Sequence, residues 1–549
     1  MNEATTITSP PLVRHFRQIL LWPLRVIPSQ TEETHFSKYW ELLETLGERC
    51  PWQEVADEFG DPADFQERHY KEFVTFLPYV QRFLYGEGAG RKGQTGYGKS
   101  PIRVFRRRDI AQMRVVLDEQ APPLLLQIAH VDLYFFYDLD IIILVLEFFA
   151  NDIPLLIAED ILFKVGRAYP SFWEADGRGG ECPQRVEWLS AMGETLAVSD
   201  YENRHRYLSF VCQHRSPNVS AHWEYLLWPL ALHHSDREGV ICYREIEYHR
   251  MPLLAYLSFS DPQALTRGDF ARLALITKAG PSETLPYSET ELAHFEQHYC
   301  NDKFWNPANP AMSSRYLCCG HAFVVIGKAS ERFFVDPETG LLGQFRHQYF
   351  LINLIAHFHK GTLMLFSEWL VEAISQLDIR DTDSVRTFKR EVRRIMETFL
   401  RFNQRYWFHE VSNQVLVRDL FRLLTGHLNT DQIYQDVSTS VKEMNQYLDS
   451  DSLRRQANTV VRLTVVTTLG LIATVSTGFL GMNIFDETDN PGWVKFLIFT
   501  VVFIPSTLLV NYAVAHSKVL SDFLEALADK RLTWWDRLNI LFRIWRKPR

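Results

Sequence analysis

Two long, almost uncharged apolar stretches lie close together near the C-terminus, and they constrain the fold more than any other feature. The first, VRLTVVTTLGLIATVSTGFLGMN, runs from Val461 to Asn483, and after Arg462 no charge appears until Asp486. The second runs from Phe496 to His516, bounded by Lys495 and Lys518. A helix needs ~20 apolar residues to cross a hydrocarbon core, so the sequence predicts a hairpin of two membrane helices. Arg454 and Arg455 precede it and a basic tail follows it. The loop between, IFDETDNPGW, carries Asp486, Glu487 and Asp489 against Lys495. The excess of Lys and Arg on the outer flanks puts both termini in the cytoplasm and the loop outside.

The first stretch continues a pattern that begins upstream. Asn429-Thr430-Asp431-Gln432 reads as a helix start, with a capping residue and a glutamine three positions on. Ile433, Val437, Val441, Met444 and Leu448 then recur every three to four residues, and no proline interrupts before the loop. One helix from Asn429 to Asn483 would be ~80 Å long at 1.5 Å per residue, far more than a bilayer requires. About half would project as a stalk, and its narrow apolar stripe predicts packing on copies of itself. Further along, Val460, Leu463, Thr467, Leu471 and Thr474 share one face. Threonines there either line a wet pore or hydrogen-bond neighbouring helices.

The tripeptide Gly481-Met482-Asn483 closes the first of the two helices. That motif at that depth, after a large polar region, resembles the CorA-type magnesium channels, and the resemblance covers about Asn429 to Lys518. It implies a pentameric funnel in which five first helices line a central pore, with Val460, Leu463, Thr467, Leu471 and Thr474 facing the axis and Gly481, Met482 and Asn483 as the selectivity filter. Mg²⁺ dehydrates reluctantly, so a ring of Asn483 amide carbonyls would accept hydrogen bonds from its waters without stripping them. Gly481 is expected to let the helix end turn tightly, and Met482 to pack. Asp486, Glu487 and Asp489 would concentrate cations above the mouth, or simply form a solvated turn. Where the family has a Met-Pro-Glu-Leu-like loop, this chain has Phe485 to Pro491, which leaves the choice of cation open. Gating in the family uses cytoplasmic Mg²⁺ held by carboxylates between subunits. Asp449 and Asp451 are candidates for that role on chemistry alone, and read equally as solvated charges. The tail, residues 517–549, is longer than is usual in the family. Its Trp534, Trp535 and Trp545 among Arg and Lys suit a helix on the inner leaflet or docking on the soluble part.

A chain of 549 residues is too long for one ordinary domain. Residues 1–100 read as a helical extension ending in a Gly-rich loop, with Phe16 to Ile27 too broken by Arg17, Pro23 and Arg25 to span a membrane. Residues 101–345 read as a cytoplasmic α/β domain. Its expected strands are Ile102–Phe105, Leu124–Ile128, Arg206–Cys212, Val240–Tyr248, Leu253–Phe259 and Phe323–Val335, and Asp138–Phe149 is expected as a buried helix. Ile153 to Pro170, with its acid pair and basic-Pro end, is loosely similar to a segment of the family. Residues 346–428 are expected to be helical, with Gln348–Leu377 as one helix, an amphipathic stripe from Val385 to Tyr406, and Gly426 as the stop. The stalk (429–460), first span (461–483), outer loop (484–493), second span (494–516) and tail complete an α+β architecture.

Three local patterns point elsewhere. Gly93 to Ser100, GQTGYGKS, matches a phosphate-binding loop, in which Lys99 would meet phosphates and Ser100 a Mg²⁺. Such a loop must leave a strand and enter a helix, but Pro101 follows and IRVFRRRD alternates like a strand, so a basic surface loop is the favoured reading. His294, His298, Cys300, Cys318, Cys319 and His321 offer zinc-type donors without a standard zinc spacing, and buried thiols with ordinary histidines are favoured. Asn218-Val219-Ser220 is a glycosylation sequon that a cytoplasmic domain would leave unused. The seven cysteines form no disulfide-type framework, the first residues show no leader pattern, and a formal charge of −9 gives no reason to expect nucleic acid.

Taken together, the sequence predicts a homo-oligomeric inner-membrane channel for a divalent cation. Its expected partners are lipid and Mg²⁺, the latter both as cargo and as a gating ligand. No organic cofactor and no covalent chemistry are expected. Zinc-transporting relatives share the architecture with a changed middle residue in the tripeptide, so Met482 leans toward Mg²⁺. The alternative class is a membrane-anchored nucleotide-binding or signalling protein.

Overall fold

The computed structural model describes residues 11–27, 38–55, 67–86, 100–137, 139–235, 238–247, 249–309, 313–378, 381–481 and 491–515. The chain divides into two units, residues 1–442 and 443–549.

The first unit is built on one sheet. Among the described residues fourteen strands join it, with Leu12–Ile27 at its centre between Leu253–Phe259 and Ile141–Pro154. From Ile141–Pro154 the sheet continues through Leu124–Phe136, Gln112–Val116 and Arg185–Leu189 to Thr195–Val198. On the other side it runs through Ala322–Lys328 and Ser314–Cys318 to Cys300–Asn301. Among the described residues two strand pairs are parallel, Leu253–Phe259 with Ala322–Lys328 and Leu230–Leu232 with Ile241–Glu245. The fold is therefore α+β with a mainly antiparallel sheet, rather than the α/β arrangement expected for residues 101–345. Hairpins and returning loops, not helical crossovers, join most neighbours.

The central strand shows why its sequence suits it. LVRHFRQILLWPLRVI is buried on both faces over most of its length, as a strand in mid-sheet must be. Pro23 lacks a donor and would break a ladder. Its nitrogen points to the side where one partner ends and another begins: Leu20 pairs with Leu253, and pairing resumes at Leu24 with Glu245. The missing N–H faces that gap, while the opposite ladder to Ile141–Pro154 runs unbroken through Pro23.

Four expectations fail here. Phe16–Ile27 is strand, not part of a helical extension, although Trp40–Glu44, Glu67–Thr75 and Pro78–Tyr85 are helices. Asp138–Phe149 supplies most of the strand Ile141–Pro154 rather than a helix, because four of the five residues of IIILV are β-branched and the run is covered on both faces. Arg206–Cys212 belongs to the helix Arg204–His214, whose start is capped by Asn203 accepting from the Arg206 N–H. Phe323–Val335 is strand only to Lys328 and ends in a helical turn, Arg332–Val335. The segment similar to the family at Ile153 to Pro170 holds the helix Leu155–Lys164.

Helices cover the sheet. Phe350–Ser375 is apolar around most of its circumference and buried along most of its length, because it lies between the strands Leu12–Ile27 and Ile141–Pro154 and the helices Thr382–Arg405 and Val415–Leu428. Gly361 makes the approach to the sheet close: a Cβ there would sit 2.8 Å from Ile141 Cδ1 and 3.5 Å from Pro23 Cβ. On Thr382–Arg405 the predicted stripe is buried at Phe388, Val392, Ile395, Phe399 and Phe402. The Asp381 carboxylate caps that helix. Gly426 does not end the next helix. Val415–Leu428 stops at Asn429, which takes the left-handed conformation at φ 56°. Asn429 is thus a C-terminal cap, and the next helix begins one residue later, at Thr430.

Candidate functional site

Thr430–Gly481 is a single helix of 52 residues, or ~80 Å at the standard rise. No proline or left-handed residue interrupts it. Its stalk portion buries Val437, Val441 and Met444, three of the five residues in the predicted stripe. The second helix of the 443–549 unit is Gly492–Ala515, with Pro505 inside it.

Among the described residues one helix is long and apolar enough to cross a membrane, Gly492–Tyr512, with a mean hydropathy of 2.1. Its large apolar side chains face outward: Phe496 is 71% and Val501 61% exposed. A water-soluble core helix of that composition would hide them, so an exposed patch of this kind marks contact with lipid or another chain. The other predicted span forms the last part of the long helix Thr430–Gly481. Met482 and Asn483, which complete it, lie outside the described residues.

The face predicted to line a pore can be followed to Thr474. Val460, Leu463, Thr467, Leu471 and Thr474 are all exposed within this chain. Ile472 and Ser476, buried to 6% and 2% exposure, lie on the opposite side of the helix by its 3.6-residue period. The side that packs within the chain and the side that carries the five residues are therefore different sides.

The threonines on that face do not spend their protons on a neighbouring helix. The Thr467 hydroxyl donates to the Leu463 carbonyl at 2.5 Å and the Thr474 hydroxyl to the Gly470 carbonyl at 2.8 Å. Thr477 does the same with Ala473 at 2.8 Å. A hydroxyl oxygen whose proton is given to the helix is also a possible acceptor, and the waters around a cation present donors outward. Gly481, the last helical residue, is exposed, and a Cβ built on it meets nothing within 4 Å.

The remaining candidates divide simply. Asp486, Glu487 and Asp489 lie outside the described residues, as do Lys99 and the tail from 516. Asp449 is exposed on the long helix, and Asp451 is on the same helix. Ser100 follows the helix Pro78–Tyr85 and precedes the strand Ile102–Arg107, the reverse of the order a phosphate-binding loop needs. Its hydroxyl donates to the Leu84 carbonyl at 3.0 Å and accepts from the Ile102 N–H at 3.1 Å, which gives it a structural task. Asn218 and Ser220 of the sequon are buried. Among the described residues no group of three or more metal-type ligands is assembled. His294 and His298 stack on one another with ring centroids 4.1 Å apart, while Cys319 contacts His321 at 3.5 Å.

One charged cluster was not foreseen. Glu147, 1% exposed in the middle of the sheet, pairs with Arg17, with Arg346 at 2.9 Å and with His130 Nδ1 at 3.3 Å. Asp132, equally buried, takes a two-pronged contact from Arg106 at 2.7 and 2.8 Å. Burial pushes the Glu147 carboxyl up, but His130, Arg346 and Arg17 outweigh it and hold it below the usual range. Burial lowers His130. The sequence signal was present as single charges within apolar runs, FRQILL and ILVLEFF, where only a charge partner on another strand makes burial tolerable.

Comparison with known proteins adds little to this geometry. No family model matches the chain, and no curated protein matches it. A solved structure to which it is similar is that of the CorA magnesium transporter from Methanocaldococcus jannaschii, at 12% identity over 49% of this chain and 93% of that one, with a TM-score of 0.18.

Proposed function

We propose that this protein is a subunit of a homo-oligomeric channel for divalent cations, with Mg²⁺ the favoured ion and Asn483 its selecting residue. The observation that carries the reading is the Gly481-Met482-Asn483 tripeptide at the end of an uninterrupted 52-residue helix. The membrane-length end of that helix leaves a stripe of Thr, Leu and Val uncovered. An uncovered stripe opposite the packed side is what a helix needs if copies of it are to surround an axis. Threonine hydroxyls on that stripe can accept from the waters of a hydrated cation, and Val and Leu between them can close a narrow passage by excluding water. A pentamer, both termini in the cytoplasm, residence in an inner membrane and gating by Mg²⁺ at Asp449 and Asp451 belong to the same proposal through the family resemblance. Asp486, Glu487 and Asp489 would enrich cations at the outer mouth.

A neutral amide ring at Asn483 would hold the ion through its own waters. The ion then keeps a shell it gives up reluctantly and leaves as readily as it enters. The test is flux into proteoliposomes. Asn483→Ala is expected to abolish Mg²⁺-dependent flux while the oligomer stays intact by size-exclusion chromatography, and unchanged flux would reject the assigned filter. Parallel measurements with Zn²⁺, Co²⁺ and Ni²⁺ decide the ion. The anchored nucleotide-binding alternative loses its main support, because the loop that suggested it is preceded by helix and followed by strand.

A further inference from the structure

The first unit holds a cavity of about 360 Å³ that the channel reading does not use. Its volume falls within the ~300–1,000 Å³ typical of small-molecule sites. Four segments meet around it: the strand Ser314–Cys318, the helical turns Arg332–Val335 and Leu341–Gln344, and the start of the helix Val415–Leu428. Much of the wall is aromatic. Tyr316, Phe334 and Tyr349 are buried, whereas Phe304 and Phe333 are 46% and 50% exposed and so stand at the mouth. The buried rings are held in place. Tyr316 and Tyr349 meet edge to face with centroids 5.8 Å apart, and the Tyr349 hydroxyl donates to Gln344 Oε1 at 3.1 Å.

One charge lies on this wall. Glu331 is the only Asp, Glu, Lys, Arg or His among the lining residues. It stands just before the turn Arg332–Val335, and its carboxylate does not cap that turn. Among the described residues Glu331 enters no ion pair and its side chain no hydrogen bond. The buried carboxylates Glu147 and Asp132 differ, since each is matched by a guanidinium group. The nearby amides add acceptors. Gln348 Nε2 donates to the Lys71 carbonyl at 3.4 Å and Gln414 Nε2 to Thr75 Oγ1 at 3.3 Å. The carbonyl oxygen of each accepts no hydrogen bond among the described residues. An ammonium group is attracted to a carboxylate through charge-assisted hydrogen bonds and to ring faces through their quadrupole. A phosphate or carboxylate ligand would meet a like charge with no cation beside it.

We propose that this cavity binds a small organic cation of the arylalkylamine class, a protonated primary amine carried on a flat apolar ring. Glu331 receives the ammonium group, and Tyr316, Tyr349 and Phe333 enclose the ring. A bare divalent metal ion does not suit the same wall, because Mg²⁺ and Ca²⁺ take six or more oxygen ligands and here one carboxylate stands among aromatic carbons. The site is independent of the pore, because none of its residues lies on the long helix.

The test is equilibrium dialysis of radiolabelled tryptamine against the full-length protein, with the same detergent on both sides of the membrane. Saturable binding of one tryptamine per chain is expected. Glu331→Gln should weaken it at least tenfold at an unchanged thermal midpoint. Tryptophol, which carries a hydroxyl in place of the amine on the same ring, should compete at least tenfold less well than unlabelled tryptamine. Phe333→Ala, a change at the exposed mouth, should weaken binding several-fold and serves if Glu331→Gln does not fold. Absence of saturable binding, unchanged affinity in either variant, or tryptophol competing as well as tryptamine would overturn the proposal. Asn483→Ala should leave tryptamine binding intact, so the two proposals can fail separately.

Discussion

Glu147 is a carboxylate that the sheet cannot hold without its cations. Arg17 stands on the neighbouring strand, and Arg346 reaches in from the start of the helical cover. Replacing Glu147 by Gln keeps the shape and removes the charge, leaving two guanidinium groups uncompensated. Breaking a buried pair in this way costs about 3 kcal/mol, so Glu147→Gln should lower the thermal unfolding midpoint at neutral pH by several degrees. The folded carboxyl lies below its ordinary value. Its stabilisation is therefore complete above the unfolded pKa and is lost as pH falls through the folded one. The gap between wild type and variant should narrow in the acid range, which unfolding curves recorded at a series of pH values would show. A gap that stayed constant into acid would mean that packing, not charge, is at stake.

At the scale of elements, the contact between the helix Phe350–Ser375 and the sheet turns on Gly361. A larger side chain there would press on Ile141 and Pro23. Gly361→Leu overpacks the layer and is expected to cost about 2 kcal/mol, read as a lower denaturation midpoint with unchanged secondary structure by circular dichroism. The elements also show what the sequence disclosed. The helix Thr382–Arg405 was legible because it presents one apolar stripe against a polar face, as Val392, Ile395 and Phe399 show. The strands Leu12–Ile27 and Ile141–Pro154 were not. A segment covered on both faces has no period to read, and Arg17, Arg25 and Glu147 looked like interruptions because their partners lie far away in sequence. Arg206–Cys212 suggested a strand because Tyr207, Phe210 and Val211 are strand-favouring residues, although Asn203 was a capping signal in plain view. On the long helix, position and spacing told which residues share a face, but no pattern of letters could tell that Thr467 and Thr474 turn their protons back to the backbone.

At the scale of the whole molecule, the residues from Thr430 to Gly481 form one rod. In an α-helix each residue adds about 100° of rotation and 1.5 Å of rise, so the direction in which Leu471 and Thr474 point relative to Glu443 is fixed by the number of residues between them. One alanine inserted after Glu443 should swing the far end by about 100° and abolish flux. Seven inserted residues should return it to within about 20° of its bearing and preserve flux, despite lengthening the rod by about 10 Å. Equal loss of flux in both variants would show that length, not bearing, governs conduction. The chain therefore keeps its aim by counting: a point mutation that leaves the helix unbroken leaves the compass heading of the tip unchanged, whereas a gene that gained or lost a single codon there would point it the wrong way.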